Sequence, residues 1–126
     1  IDIMLKVTKQ DSEGFLDINT INTFPCKDLV YLNQLWQDYS QGKFGFRAQK
    51  SKYEETGNIT GRYNENTFNK FGENAGWQQQ GVWISDLELD FSNEALPGHL
   101  PSSTILRDAL RKGELFSRMN NCQPNI

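Results

Sequence analysis

The chain has 126 residues, 37% of them hydrophobic and 23% charged, which is typical of one globular domain and excludes a disordered chain. Its net charge of −3 excludes a general attraction to nucleic acid. No apolar run is long enough to cross a bilayer, so we expect at most peripheral membrane association.

The first half of the chain carries the clearest helix signal. Residues 2–8 are typical of the end of a helix, and Asp17 can cap a short helical turn. Pro25 suits the first turn of a helix that we predict over residues 25–41, ending at Gly42. Its apolar residues recur at three- and four-residue steps and should share one buried face: Leu29, Leu32, Leu35, Trp36 and Tyr39.

Shorter helices are predicted along the rest of the chain. A tight Phe-Gly-Phe knot at residues 44–46 precedes a helix over residues 48–55, and Asn64 can cap the next helix. Residues 97–101 form a rigid turn before the last helix. No segment alternates convincingly as a β-strand. We therefore predict an all-α fold, a single compact domain over residues 1–126 with several short helices and long loops.

Nothing in the sequence indicates catalysis or a metal site. One histidine, His99, and two cysteines, Cys26 and Cys122, are too few for an ordinary zinc site, and a nucleophile–histidine pair would have to be built on His99 alone. We expect His99 to hold its turn through a backbone hydrogen bond, with axial ligation of a metalloporphyrin as the alternative. Thiols so far apart do not make a disulfide scaffold, so we expect Cys26 to be a buried, inert thiol or, alternatively, an activated one.

Charge is distributed unevenly along the chain. Residues 1–39 and 64–96 carry net charges of −3 and −5, whereas residues 40–63 and 97–126 carry +3 and +2. If the two basic stretches meet, they form a basic rim on an acidic protein. The alternative is that each is an ordinary solvated face.

Several short motifs recur in an order and spacing that resemble the Genomes Uncoupled Four (GUN4-like) family. They are Phe24-Pro25-Cys26 with Asp28-Leu29, Leu35-Trp36, Tyr39-Ser40-Gln41-Gly42-Lys43-Phe44-Gly45-Phe46, Gln49-Lys50, Gly76-Trp77, Gly81-Val82-Trp83 and Gly98-His99-Leu100-Pro101. The ordered pair Y-S-x-G-x-F-G-F and G-H-L-P is the most specific part. The resemblance covers nearly the whole chain.

The resemblance implies an all-helical fold likened to a cupped hand, whose open cleft binds a porphyrin without a covalent bond. The ligand would be protoporphyrin or its magnesium form, with heme or a bilin as further candidates. The family stimulates magnesium chelatase in chlorophyll biosynthesis through the large porphyrin-binding subunit of that enzyme. It occurs in photosynthetic cells, in cyanobacterial cytoplasm and plastid stroma. By this likeness, the first family helix is truncated at Ile1.

The expected ligand site combines an apolar cleft with cations at its mouth, because a porphyrin is a flat apolar plate with two carboxylates on one edge. Arg107 and Arg111 are four residues apart, share a helix face and suit carboxylates. Family positions align with Thr104 and Arg107. The apolar candidates are Ile18, Ile21, Phe24, Phe44, Phe46, Trp83 and Leu100. The alternatives are an ordinary amphipathic helix for the arginines and simple core for the apolar residues, as we expect for Trp36 and Trp77.

The sequence departs from the family pattern at three places. Arg47-Ala48 follows the knot where the family usually has Ser-Val, and Asp86 lies near a position that is often aromatic. Leu96 separates Ala95 from Pro97. These changes bear on ligand identity and affinity rather than on the fold. The competing hypothesis is a GUN4-like sensor or interaction module of a signalling protein, and an enzyme ranks third.

Overall fold

Helices dominate the part of the chain that the computed structural model describes, which is residues 24–85, 88–92, 94–101 and 110–122. The described elements are α1 (Cys26–Ser40), α2 (Phe46–Glu55), α3 (Glu65–Asn74), β1 (Gln78–Gln79), β2 (Val82–Trp83) and α4 (Glu114–Cys122). The two strands pair antiparallel in one hairpin. The predicted all-α fold class is confirmed, and the hairpin is too short to show as alternation in the sequence.

Helix α1 is the longest described helix and spans Cys26–Ser40, against a prediction of residues 25–41. Pro25 occupies the N-cap position, and Gln41 ends the helix in the left-handed conformation at φ 54°. The N–H of Gly42 then donates to the carbonyl of Gln37 at 2.9 Å. This bond satisfies one of the carbonyls that a helix end leaves without a partner.

The buried face of α1 differs from the predicted apolar stripe. Leu35 and Tyr39, two of its five members, are 46% and 74% exposed. They lie with Tyr31 at four-residue steps on the outer face of the helix. The prediction was wrong for these two residues because the inner face is completed by polar side chains, Asn33 and Ser40, which make buried hydrogen bonds.

The bend after α1 is built by Ser40 and Gly45. The Ser40 hydroxyl donates to the carbonyl of Trp36 at 2.7 Å and accepts from the N–H of Phe44 at 2.9 Å. Gly45 adopts φ +103°, and a Cβ there would lie 2.8 Å from the Cβ of Trp36. Only glycine fits this position, because both the backbone conformation and the space exclude a side chain.

Helix α2 begins at Phe46, two residues before its predicted start at Ala48. Its N-cap residue is Gly45, which has no side chain to cap the first turn. Asn33 of α1 supplies the cap instead, since its Oδ1 accepts a hydrogen bond from the N–H of Arg47 at 3.1 Å. The local sequence cannot predict a cap that is supplied by a side chain of another helix.

Helix α3 and the hairpin follow their local signals more closely. The Oδ1 of Asn64 accepts from the N–H of Thr67 at 3.1 Å, so the predicted cap is confirmed. Gln80 and Gly81 join the strands with positive φ angles of 54° and 80°, as in a type I′ hairpin turn.

The core has two parts. The larger one lies between the four helices, where Tyr53 packs against Phe71 and Phe116 with ring centroids 5.6 and 5.1 Å apart. The smaller one contains Phe44, Ala95 and Leu100. Trp36 is half-buried and packs against this smaller part, whereas Trp77 is fully buried in the larger part. Both tryptophans therefore contribute to the core, as predicted.

A disulfide joins Cys26, in the first turn of α1, to Cys122, the last residue of α4. The prediction of a free thiol at Cys26 was wrong. Helices α1 and α4 pack together and bring the two Cα atoms to 5.1 Å, although 96 positions separate them in sequence. Beside this bond, Nε and Nη2 of Arg118 donate to the carbonyl of Phe24 at 3.0 and 2.7 Å.

Candidate functional site

The two most specific motifs of the sequence, the knot at residues 44–46 and the turn at residues 98–101, are bonded to each other. The N–H of Gly98 donates to the carbonyl of Lys43, and the N–H of Gly45 donates to the carbonyl of Leu100, each at 2.9 Å. The motifs are about half the chain apart in sequence. We call these two segments, together with Gln49, the knot–turn junction.

Gln49 fixes this junction to α2. Its side chain is fully buried, and Nε2 donates to the carbonyls of Gly98 and Pro101 at 3.2 and 2.9 Å. Its Oε1 makes no hydrogen bond. One amide therefore satisfies two carbonyls of the turn, where each unpaired buried carbonyl would cost free energy.

His99 holds the turn against two other segments, so the predicted structural role is confirmed. Its ring is 4% exposed. Nδ1 lies 2.8 Å from the carbonyl of Ala75, and Nε2 accepts from the N–H of Asp90 at 3.0 Å. This pattern requires a neutral ring protonated at Nδ1. Because both nitrogens are engaged, ligation of a metalloporphyrin by His99 would break one of these bonds.

The exposed carboxylate of Asp90 is itself stabilised as an anion. Hydrogen bonds from the side chain and backbone of Ser92 lower its pKa, and the positive charge of Lys43 acts in the same direction. A cavity of about 180 Å³ opens here beside His99, and its rim carries Glu88, Asp90 and Glu94. This side of the turn is therefore acidic.

Four of the apolar site candidates are packed inside the protein. Phe24, Phe44 and Phe46 are 1% exposed and Leu100 is 3% exposed. The bend at Gly45 sends the two knot rings to different places, Phe46 into the larger core and Phe44 into the smaller one with Leu100. Both rings are therefore core residues in this structure.

Trp83 and Arg111 are the more accessible candidates. Trp83 is half-buried, with its ring 5.6 Å from that of Phe68, and its indole covers Gly72 so closely that a Cβ there would lie 2.7 Å away. Arg111 is exposed, and its guanidinium lies 5.7 Å from the ring centroid of Tyr63. The four remaining candidates lie outside the described residues: Ile18, Ile21, Thr104 and Arg107.

Tyr53 holds the backbone of Arg111 in place. The Tyr53 hydroxyl donates at 3.3 Å to the carbonyl of Arg111, and the carbonyl of Ile59 lies 3.4 Å away. Burial, assisted by the charge of Glu114, raises the pKa of Tyr53 to about 12. Tyr53 is therefore a neutral structural donor.

The two basic stretches predicted from the sequence do meet. Besides the contact between Lys43 and Gly98, the N–H of Gly61 donates to the carbonyl of Lys112 at 2.7 Å, and Nζ of Lys50 donates to Oδ1 of Asn120 at 2.9 Å. These three contacts bring the two stretches together in the fold.

Sequence reasoning missed the polar residues that position these motifs. Asn33, Ser40 and Gln49 are buried and bond to backbone atoms of the knot, the turn or the start of α2. Gln49 stood within a motif of the family resemblance, which was the one available signal. The roles of Asn33 and Ser40 depend on partners that no local pattern identifies.

The fold and these bonded motifs define the class of the protein. A family model described as GUN4-like matches residues 1–118, so the chain belongs to the GUN4-like family. The ligand-free structure of Arabidopsis thaliana GUN4 resembles it with a TM-score of 0.67 and 20% sequence identity, covering 92% of this chain and 80% of that one. At this identity the likeness shows the fold.

Relatives of the chain come from algal plastid genomes and a cyanobacterium. The uncharacterized protein ycf53 of Porphyra purpurea is 30% identical over 116 residues, which is 91% of this chain and 45% of that protein. The protein of the same name from Cyanidium caldarium is 37% identical, and a Ycf53-like protein from Synechocystis is 31% identical. Each of these two matches covers 74% of this chain, and they cover 35% and 37% of the relatives. The chain thus spans less than half the length of these relatives.

Two searches of the described residues were negative. Among them, no helix has the length and apolar character needed to span a membrane. Within the same ranges, no group of three or more histidine, cysteine, aspartate or glutamate side chains is arranged to hold a metal ion.

Proposed function

We propose that the chain is a non-catalytic porphyrin-binding protein that stimulates magnesium chelatase in chlorophyll biosynthesis. The observation that carries the proposal is membership of the GUN4-like family over residues 1–118. The ligand is protoporphyrin or magnesium protoporphyrin, bound without a covalent bond. The partner is the large porphyrin-binding subunit of the chelatase, in cyanobacterial cytoplasm or plastid stroma.

The proposed site is a cleft between three segments, residues 18–24, the knot at residues 44–46, and the turn at residues 98–101 with the helix that follows it. Bonds between the knot and the turn support this arrangement. The exposure of Arg111 also supports it, because propionates need cations at the mouth of an apolar cleft. A rigid, preorganised site loses less entropy when the flat ligand binds.

The protein's own role is to bind, orient and hand over the tetrapyrrole. The macrocycle would be held mainly by burial of its apolar faces, which contributes roughly 25 cal/mol per Å². The propionates would be oriented by Arg107 first and Arg111 second. The bond-forming chemistry, insertion of magnesium, belongs to the chelatase.

A chelatase assay tests the regulatory part of the proposal. Adding the protein to purified chelatase subunits should increase the rate of magnesium insertion into protoporphyrin. Bovine serum albumin at the same concentration controls for non-specific delivery of the porphyrin. Binding of porphyrin without any stimulation would favour the alternative, a GUN4-like sensor or interaction module of a signalling protein.

Two substitutions test the proposed site. Ile21→Asp should weaken protoporphyrin binding strongly, because a carboxylate would be desolvated against the macrocycle. Arg107→Ala should weaken it less, since a partly exposed charge pair contributes below roughly 1 kcal/mol. Folding of each variant is checked by circular dichroism. Wild-type affinity in a folded Ile21→Asp variant would locate the cleft elsewhere.

A further inference from the structure

A polar groove borders the chain at Pro97, next to the Leu96 that lines the acidic cavity. It runs between the end of α1 and the exposed side of α2, encloses about 510 Å³, and is lined chiefly by Gln37, Arg47, Ser51, Lys52, Glu55 and Pro97. Pro97 closes one side, and the adjoining Gly98 faces α2, since a Cβ added to it would lie 3.5 Å from Lys52 and 3.6 Å from Gln49. We call this feature the basic groove.

The groove presents hydrogen-bond donors. Lys52 and Glu55 approach to 3.7 Å and largely offset each other's charge. The guanidinium of Arg47 makes no ion pair with any residue in the described part of the chain, so its charge and its planar fork are left for a ligand. The groove therefore has a net positive charge and suits an anion.

Partly buried hydrogen bonds hold the groove in shape. Asn33 accepts from the N–H of Arg47 and donates through Nδ2 to Oε1 of Gln37 at 3.1 Å. The latter bond engages the oxygen of the Gln37 amide, so its NH₂ group remains as a donor on the groove wall. The Gln37 amide on α1 and the backbone of Arg47 on α2 are thus fixed relative to each other.

The groove continues across α2 into a shallower cavity of about 160 Å³, lined by Arg47, Lys50, Ser51 and Glu54. Arg47 and Ser51 line both cavities and form the ridge between them. A single small anion would occupy one of them, whereas an extended chain can cross the ridge and use both. The polar lining is poorly suited to the apolar face of a macrocycle.

We propose that the basic groove binds an extended acidic peptide segment of a partner protein, with a carboxylate of that segment on Arg47. Charge complementarity favours this occupant, because the groove carries the charge of Arg47, whereas the cavity lined by Glu88, Asp90 and Glu94 repels an anionic segment. This inference stands whether or not the chain binds a tetrapyrrole.

The test is fluorescence anisotropy with a labelled peptide of alternating glutamate and glycine. A glutamine–glycine peptide of equal length is the control probe. We expect salt-sensitive binding of the glutamate peptide alone, weakened about fivefold by Arg47→Ser, the upper range for an exposed ion pair. Arg62→Ser, which removes an exposed guanidinium outside the groove, should leave binding unchanged.

Several results would overturn the proposal. The first is that the glutamate peptide does not bind. The second is that Arg47→Ser and Arg62→Ser weaken its affinity equally. The third is that protoporphyrin displaces the peptide from the same Arg47-dependent site. Self-association that Arg47→Ser abolishes would assign the groove to a second copy of the chain. Sedimentation of both variants detects that outcome.

Discussion

Two junctions join distant parts of this chain, and they use different kinds of bond. The helix-end latch consists of the Cys26–Cys122 disulfide and the bonds of Arg118 to the Phe24 carbonyl. The knot–turn junction relies on hydrogen bonds, mainly from Gln49 and the backbone. The latch ties Phe24 and the start of α1 to α4, and the junction holds the knot and the turn. The two regions therefore depend on unequal restraints.

The difference teaches where each restraint acts. A disulfide stabilises mainly by restricting the unfolded chain, so its effect depends on the length of the loop that it closes. Buried hydrogen bonds stabilise the folded state only modestly, but leaving one partner unpaired is costly. The latch should therefore dominate global stability, whereas the junction should control the local geometry of the turn.

The largest effect is expected from loss of the disulfide. Cys26→Ser with Cys122→Ser opens a loop of 96 positions, and the chain-entropy estimate for a loop near this length is about 4.7 kcal/mol. Denaturant unfolding of the double variant and of the oxidised wild type measures the difference. Wild type reduced with dithiothreitol should match the double variant. A difference below about 1 kcal/mol would contradict the role of the latch.

A smaller loss is expected from Gln49→Leu. The substitution leaves the carbonyls of Gly98 and Pro101 without their donor, but it also removes an Oε1 that has no partner. The net cost should be about 1–3 kcal/mol. Gln34→Leu, on the exposed side of α1, is the matched control and should change stability by less than about 0.5 kcal/mol. Hydrogen exchange of the Gly45 N–H, which bonds to the Leu100 carbonyl, should be faster in Gln49→Leu. Protection of this N–H equal to that in wild type would argue against a role of Gln49 in holding the junction.

The smallest effect concerns alkaline pH. The pKa of Tyr53 is raised from 10.0 to about 12, so the folded state retains a proton that the unfolded state releases. The stability due to neutral Tyr53 is complete below pH 10 and is lost as the pH rises towards 12. Ultraviolet titration of tyrosinate should show one late ionisation, which Tyr53→Phe removes. An unchanged titration in that variant would refute the assignment.

Local signals in the sequence predicted much of the fold. Pro25 and Gly42 bracketed α1, and Asn64 marked the start of α3, because caps and helix ends depend on neighbouring residues. The turn role of His99 also followed from its flanking glycine and proline.

The sequence could not reveal interactions between distant segments. The pairing of Cys26 with Cys122 and the bonds of Gln49 to residues 49 and 52 positions away depend on tertiary packing. The burial of Asn33 on α1 depends on tertiary packing as well. For the candidate site, the pattern identified the motifs, and the structure added the polar contacts that bring the knot and the turn together.

Direct titration of protoporphyrin with the purified protein, followed by the Soret band, tests the central claim. We predict saturable binding of one porphyrin per chain at micromolar concentration, with a shifted band. Circular dichroism dominated by helix must accompany the titration, so that a negative result refers to folded protein. The absence of any saturable shift with folded protein would contradict the account and leave the chain as an interaction module of the same fold.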